Sequence, residues 1–221
     1  MPDLGEPRNR VNIPIERFLE TLKAGEHGCI FFFSKEQLHK IQFSFVKSGL
    51  ERNWGIVYLT ATEPIESVRN SMQKFGINTQ YYEAEGEDDN DNKSLIILRG
   101  EELYKNPEKP DIENWVNTAK SLCEMFVFKK GKKGVRVAAD LSSYFLSRGL
   151  ARQWHDLEYA LEKRISLPMS VLCAYDSRIK ELLDMDVLKF YTKLHEKNKE
   201  FVDAHSFAIY TSRANNVTFT V

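Results

Sequence analysis

Short apolar runs alternate with amphipathic stretches along most of this chain. The runs at 27–33 (His-Gly-Cys-Ile-Phe-Phe-Phe), 55–61, 95–98, 133–139, 167–175 and 205–210 show little in–out alternation. Such runs predict strands covered on both faces, the mark of a parallel sheet. Between them, apolar residues recur at helical spacing. Ile15, Phe18, Leu19 and Leu22 predict a helix over 13–24, and Leu38, Ile41 and Phe45 one over 35–48. Gly49 is read as the stop of the second, and Ser34 with Gln37 as its capping box. Ile65, Val68, Met72 and Phe75 define a third helix, with Pro64 in its first turn and Gly76 at its end. Longer helices are expected over 111–128 and 144–166, and two shorter ones over 179–185 and 186–197. Thr79–Tyr82 reads as a short edge strand, and 217–221, after an Asn215-Asn216 turn, as a terminal antiparallel strand. Strand and helix alternate with no repeat and no linker. The expected fold is α/β: three layers around a mostly parallel sheet that ends on an antiparallel strand.

Composition narrows the class. In 221 residues, 42% are hydrophobic and 29% charged, and the formal net charge is −1. These are the proportions of a water-soluble globular chain with one sizeable core, here a single domain over 13–221 after a disordered tail at 1–12. The near-zero charge offers no general attraction to nucleic acid or to an anionic membrane. No apolar run approaches the roughly 20 residues that span a bilayer, and the first ten residues lack the apolar centre of a secretory signal. Cys29, Cys123 and Cys173 are widely separated and read as buried free thiols, which suits a cytoplasmic location. With no Cys-x-x-Cys or Cys/His spacing, neither a metal nor a cofactor is expected. The acidic run at 83–92 lacks the glycine and terminal glutamate of a calcium loop, and the basic run at 129–133 is too short for a nucleic-acid surface; both read as solvated loops.

The chemistry-bearing stretch is 133–144, where Asp140 follows Val135-Arg-Val-Ala-Ala139. A carboxylate just past a parallel strand lies at the edge where open α/β sheets bind ligands, and in a nucleotide hydrolase it would hold magnesium. The partner motif is missing. At the spacing of Gly-x-x-x-x-Gly-Lys-[Ser/Thr] the chain reads Ser34-Lys-Glu-Gln-Leu-His39-Lys40-Ile41. Both glycines and the magnesium-binding hydroxyl are gone, so the turn reads as an ordinary strand-to-helix connection and Lys40 as a solvated helix residue.

Asp140-Leu-Ser-Ser143 resembles the second nucleotide motif of RecA/KaiC-like ATPases. The order of pieces around it resembles the MEDS domain, the sensory domain of methanogen and methylotroph regulators of the DcmR type. Those pieces are His27 before an aromatic strand, Gly55-Ile-Val-Tyr-Leu59, Phe75-Gly-Ile77, Gly134-Val-Arg136-Val-Ala-Ala-Asp140, Glu158, and Leu172-Cys-Ala-Tyr-Asp176. The resemblance spans about 14–212. It implies a RecA-like fold without a phosphate loop, used to sense small molecules and to signal through a histidine kinase or a transcription regulator. No kinase or helix-turn-helix segment is seen, and Asp140 stands where many members carry Glu.

Ligand-binding candidates are the residues at strand ends: Ser34, Lys35, Thr60, Thr62, Glu63, Arg99, Asp140, Tyr175 and Asp176. Trp154, His155 and Tyr144 are candidates to roof the pocket. His27, Arg136 and Glu158 are candidates for structural or signalling roles. Arg136 is a charge inside a buried strand, so either that face is partly exposed or the residue has an acidic partner, for which Glu158 is the choice. No nucleophile–base pair can be read, so no enzyme activity is expected. The expected function is a non-catalytic sensory or regulatory domain that binds a small molecule at the C-terminal edge of its sheet. The alternatives are a degenerate RecA/KaiC-like nucleotide-binding protein or ATPase, and a structural partner that assembles with itself or with relatives.

Overall fold

A computed structural model describes residues 14–84, 93–103, 106–164, 167–178, 207–211 and 217–220. The expected tail at 1–12, the helices over 179–197, the turn at 215–216 and most of the acidic run lie outside the described residues.

Among the described residues seven strands form one sheet: β1 (His27–Phe32), β2 (Gly55–Thr60), β3 (Leu95–Arg99), β4 (Val135–Ala139), β5 (Met169–Asp176), β6 (Phe207–Thr211) and β7 (Val217–Thr220). Their order is β3-β2-β4-β5-β1-β6-β7. All neighbours run parallel except β7, which is antiparallel to β6. This is the mostly parallel sheet with a terminal antiparallel strand that the pattern predicts.

Two apolar layers flank the sheet. Ile30, Phe32, Ile56, Tyr58, Ala138 and Leu172 pack with α1 (Ile15–Thr21), α2 (Lys35–Glu51) and α3 (Ile65–Lys74). The alternate strand residues Cys29, Phe31, Val57, Leu59, Val137 and Cys173 pack with α6 (Ile112–Cys123), α7 (Leu141–Leu146) and α8 (Ala151–Arg164). Strands covered on both sides have no polar face to show, which is why their sequences lack alternation.

Several boundaries differ from expectation, each for a local reason. Thr79–Tyr82 is a single helical turn, α4, capped by Asn78, whose side chain accepts from the Tyr81 N–H. Its polar cap outweighs the β-propensity of two tyrosines, and only Glu83 beside it bridges to Leu95. Gly49 does not stop α2. It is a close-approach glycine: a Cβ there would sit 2.6 Å from Ile56 Cδ1 and 2.9 Å from Arg136 Cδ. The chain turns instead at Asn53, whose φ is 64°. Pro64 caps α3 from just outside it. Another single turn, α5 (Gly100–Leu103), occupies what reads as a plain connection. The helix expected over 111–128 stops being α-helical at Cys123 and continues in π-helical turns over Glu124–Lys129. That widening seats Phe126 against Gly55, where a Cβ would come within 2.2 Å of its ring. The helix expected over 144–166 is two pieces, α7 and α8, separated at Gly149 with φ 70°.

Candidate functional site

At the C-terminal edge of the sheet, the turn from β1 into α2 is closed on itself. Ser34 caps α2: its Oγ accepts from Gln37 N–H at 3.3 Å, while Gln37 Oε1 accepts from the N–H groups of Phe33 and Ser34 at 2.9 and 3.3 Å. The capping box expected from sequence is therefore present. Two amides of the turn, those of Phe33 and Ser34, are thereby committed to one glutamine side chain.

Beside this turn, the ends of β2 and β4 bring acids and bases together. Asp140, buried at 2% exposure, accepts from Ala61 N–H at 2.6 Å, from Thr62 N–H at 3.2 Å and from the Thr62 hydroxyl. Burial raises its carboxyl above the usual Asp range, and the Thr62 and Ala61 donors work against that rise. Glu63 is also buried. His39 Nε2 lies 2.6 Å from it, Lys35 Nζ 3.3 Å and Ser67 Oγ 3.4 Å. The hydrogen bond from His39 holds the Glu63 carboxyl below its ordinary value. The Glu63 carbonyl accepts from Arg99 Nη1 at 2.7 Å and from Thr60 Oγ1 at 3.0 Å, and Arg99 also pairs with Glu101 at 3.0 Å.

Six of the residues expected to bind ligand, Lys35, Thr60, Thr62, Glu63, Arg99 and Asp140, thus share one network, with Ser34 at its border. The other two stand apart from it. Tyr175 points into the α8 layer, stacked on Phe31 with its hydroxyl accepting from Trp154 Nε1 at 3.0 Å. Asp176 turns to Arg178, at 2.6 Å. Trp154 and Tyr144 belong to the same apolar layer, while the side chain of His155 lies outside the described residues. His39 is the network member that sequence reading missed. The available signal was its place one helical turn after Lys35, on the same face of α2. Lys40 points elsewhere, to Glu16 at 3.4 Å, and is largely exposed.

Arg136 corrects the expected pairing with Glu158, because the two lie on opposite faces of the sheet. Arg136 is fully buried on the α1/α2 side. Its guanidinium donates to Phe45 O at 2.9 Å, Ser48 Oγ at 2.7 Å and Leu22 O at 3.3 Å, and it lies 4.8 Å from the Phe45 ring and 5.2 Å from the Trp54 ring. Among the described residues it forms no ion pair with a carboxylate. Burial and the nearby Arg52 lower its pKa to about 10.

Glu158 instead meets His27, across the α8 layer at the start of β1. His27 Nε2 is 3.3 Å from Glu158 Oε2 and 3.4 Å from Cys173 Sγ. Burial and the Glu158 charge push the Cys173 thiol well above its usual pKa, and Cys29 responds in the same direction for the same reasons. All three cysteines are free and buried, as expected. Between β2, β4 and α6 an interior gap of about 10 Å³, lined by Val57, Leu59, Trp115 and Val137, has room for a water but not for a metabolite.

Fold and site together define a three-layer α/β domain with a mostly parallel sheet, whose turn after β1 is a self-capped helix start. The chain belongs to the MEDS family (MEthanogen/methylotroph, DcmR Sensory domain), which it matches over residues 26–196. Among curated proteins none matches it. Solved structures share the fold. One is an uncharacterized protein of Pyrococcus horikoshii, solved in complex with an unknown peptide: TM-score 0.58, 12% identity, covering 92% of this chain and 85% of that one. A second protein of Pyrococcus horikoshii OT3 gives 0.54 at 7% identity, covering 93% and 90%. A KaiC-like protein of the same archaeon is a more distant match, with a TM-score of 0.49 at 13% identity, covering 88% and 76%, and the shared fold does not rest on it. No helix among the described residues is long and apolar enough to cross a membrane.

Proposed function

We propose that this sensory-family domain reads a small polar molecule at the C-terminal edge of its sheet. It signals by contact with a second protein, such as a cytoplasmic histidine kinase or transcription regulator, and it does not turn over nucleotide. One observation carries the reading: the Phe33 and Ser34 N–H groups of the turn before α2 are taken by Gln37, and the Lys35 and His39 side chains by Glu63. A triphosphate would have to displace a buried carboxylate and dismantle a helix cap. A small molecule with a carboxylate or hydroxyl needs less. It can take over Lys35 and Arg99, both partly exposed, from their protein partners.

A thermal-shift panel on the purified chain tests this, comparing MgATP and MgGTP with small organic acids and alcohols. A ligand at about 100 times its Kd adds roughly 2.7 kcal/mol, which is about 5–10 °C for a domain of this size. The expected result is a shift with a small organic that weakens in Arg99→Ala, and none with MgATP. A MgATP shift lost in Lys35→Ala, or ATP hydrolysis lost in Asp140→Asn, overturns the proposal in favour of a nucleotide-binding role.

A further inference from the structure

The other edge of the sheet carries a second cluster that the ligand site does not use. Three elements supply it: His27 from the first residue of β1, Cys173 from the middle of β5, and Glu158 from the buried face of α8. One donor atom from each lies within 4.8 Å of the other two. His27 Nε2 stands at the centre, 3.3 Å from the Glu158 oxygen and 3.4 Å from the Cys173 sulfur. Metal–ligand bonds of about 2.0–2.3 Å at tetrahedral angles place donor atoms about 3.3–3.7 Å apart, so these two spacings fit one shared ion. We propose that His27, Glu158 and Cys173 form a binding site for a zinc-class divalent cation, with a fourth coordination position left open.

The donor set selects the ion. One imidazole, one thiolate and one carboxylate suit a borderline-soft metal and not calcium or magnesium, which want oxygen. Charge matches as well. A thiolate and a carboxylate carry two negative charges, so a divalent ion leaves a neutral centre, which lowers the cost of keeping them buried. On binding, the S–H bond of Cys173 breaks, its proton passes to solvent and the sulfur lone pair forms the metal bond. Access is from the His27 side, which is 16% exposed, while Glu158 is sealed at 1%. The cluster belongs to the face of the sheet whose buried layer includes Phe31, Trp154 and Leu157, and the Cys29 thiol and Tyr175 hydroxyl are near enough to feel the Glu158 charge. Three protein ligands with an open position is the arrangement of zinc sites that act on small molecules, whereas closed structural sites use four. This site stands independently of the ligand edge and of the signalling role proposed above.

The test uses Zn²⁺ and Co²⁺ on the full chain, purified with chelator under reducing conditions and then desalted. The expected result is retention of about one equivalent of zinc per chain. Co²⁺ should give the near-ultraviolet thiolate-to-cobalt charge-transfer band and the strong visible bands of a tetrahedral centre. Cys173→Ser, nearly isosteric, should lose the thiolate band, and His27→Gln, at a partly exposed position, should weaken zinc affinity at least about 10-fold. Circular dichroism reports that each variant is folded. If either variant is not, stabilisation of the wild type by zinc decides instead: a rise in Tm that saturates at one equivalent supports the site, and its absence overturns it. Folded wild type that keeps less than about a tenth of an equivalent, or a thiolate band that survives in folded Cys173→Ser, also overturns the proposal.

Discussion

Arg136 shows how a full charge is held in a core without a counter-charge. Its neutralisers are a carbonyl at the end of α1, a carbonyl and a hydroxyl within α2, and two ring faces. Sequence reading identifies the buried charge correctly but assigns it a carboxylate, because opposite charge is the only neutraliser visible in one dimension. The planar fork matters more here than the charge itself. Arg136→Lys should therefore cost about 2 kcal/mol in chemical denaturation although the charge is kept. At the opposite edge, Glu63 carries a pH signature. Its pKa is lowered in the fold, so its stabilising contribution is present in full above the unfolded value of 4.5. That contribution fades as pH falls through the lower folded value. Glu63→Gln should be less stable than wild type by about 1.5 kcal/mol at pH 7, and the gap between their Tm values should close as pH falls below 4.5. A gap that stays constant with pH would mean that the charge of Glu63 plays no part.

Elements divide into those that local chemistry decides and those that packing decides. The β1–α2 turn is of the first kind. Ser34 and Gln37 announce the capping box in sequence, and Ser34→Ala should lose about 1 kcal/mol on urea unfolding with the m-value unchanged. Glycines of the second kind mislead. Gly49 has the look of a helix stop but makes room for Ile56 and Arg136, a close approach that no local pattern shows. Gly134 is the same: a Cβ there would meet the Trp54 ring at 2.6 Å and the backbone oxygen of Pro168 at 2.7 Å. Backbone cannot swing aside as a side chain can, so Gly134→Ala should destabilise by about 1–3 kcal/mol despite its ordinary φ. The split of the long helices into α6 with its π-helical turns, and into α7 and α8, was equally hidden, since apolar spacing continues across both breaks.

For the molecule as a whole, the alternation of buried strands and amphipathic helices was enough to read the three layers, the parallel sheet and its antiparallel end. Strand order was not, because it depends on which crossovers skip a neighbour. The order places β4 between β2 and β5, shielded on both edges and both faces. In hydrogen exchange the amides of Val135–Ala139 should therefore be among the slowest, and those of edge strand β3 faster; the reverse ranking would contradict the sheet order. The two candidate sites differ in legibility for a related reason. The C-terminal edge could be foreseen because every strand of a parallel sheet ends there, so its residues all follow apolar runs. The His27–Glu158–Cys173 cluster could not, because its members come from a strand start, a helix face and a strand middle, with no spacing in common.

The three hydrogen bonds from Ala61 and Thr62 to Asp140 have a consequence for the timing of recognition. They staple the loop after β2 to the end of β4. A molecule that is to engage the Asp140 carboxylate must wait for that staple to release. The association rate should then climb with concentration only to a plateau, set by the frequency of loop opening and not by diffusion. Stopped-flow mixing would show the plateau rise in Thr62→Val, where one of the three fastenings is gone, while the dissociation of a ligand that never touches Asp140 would keep its pace.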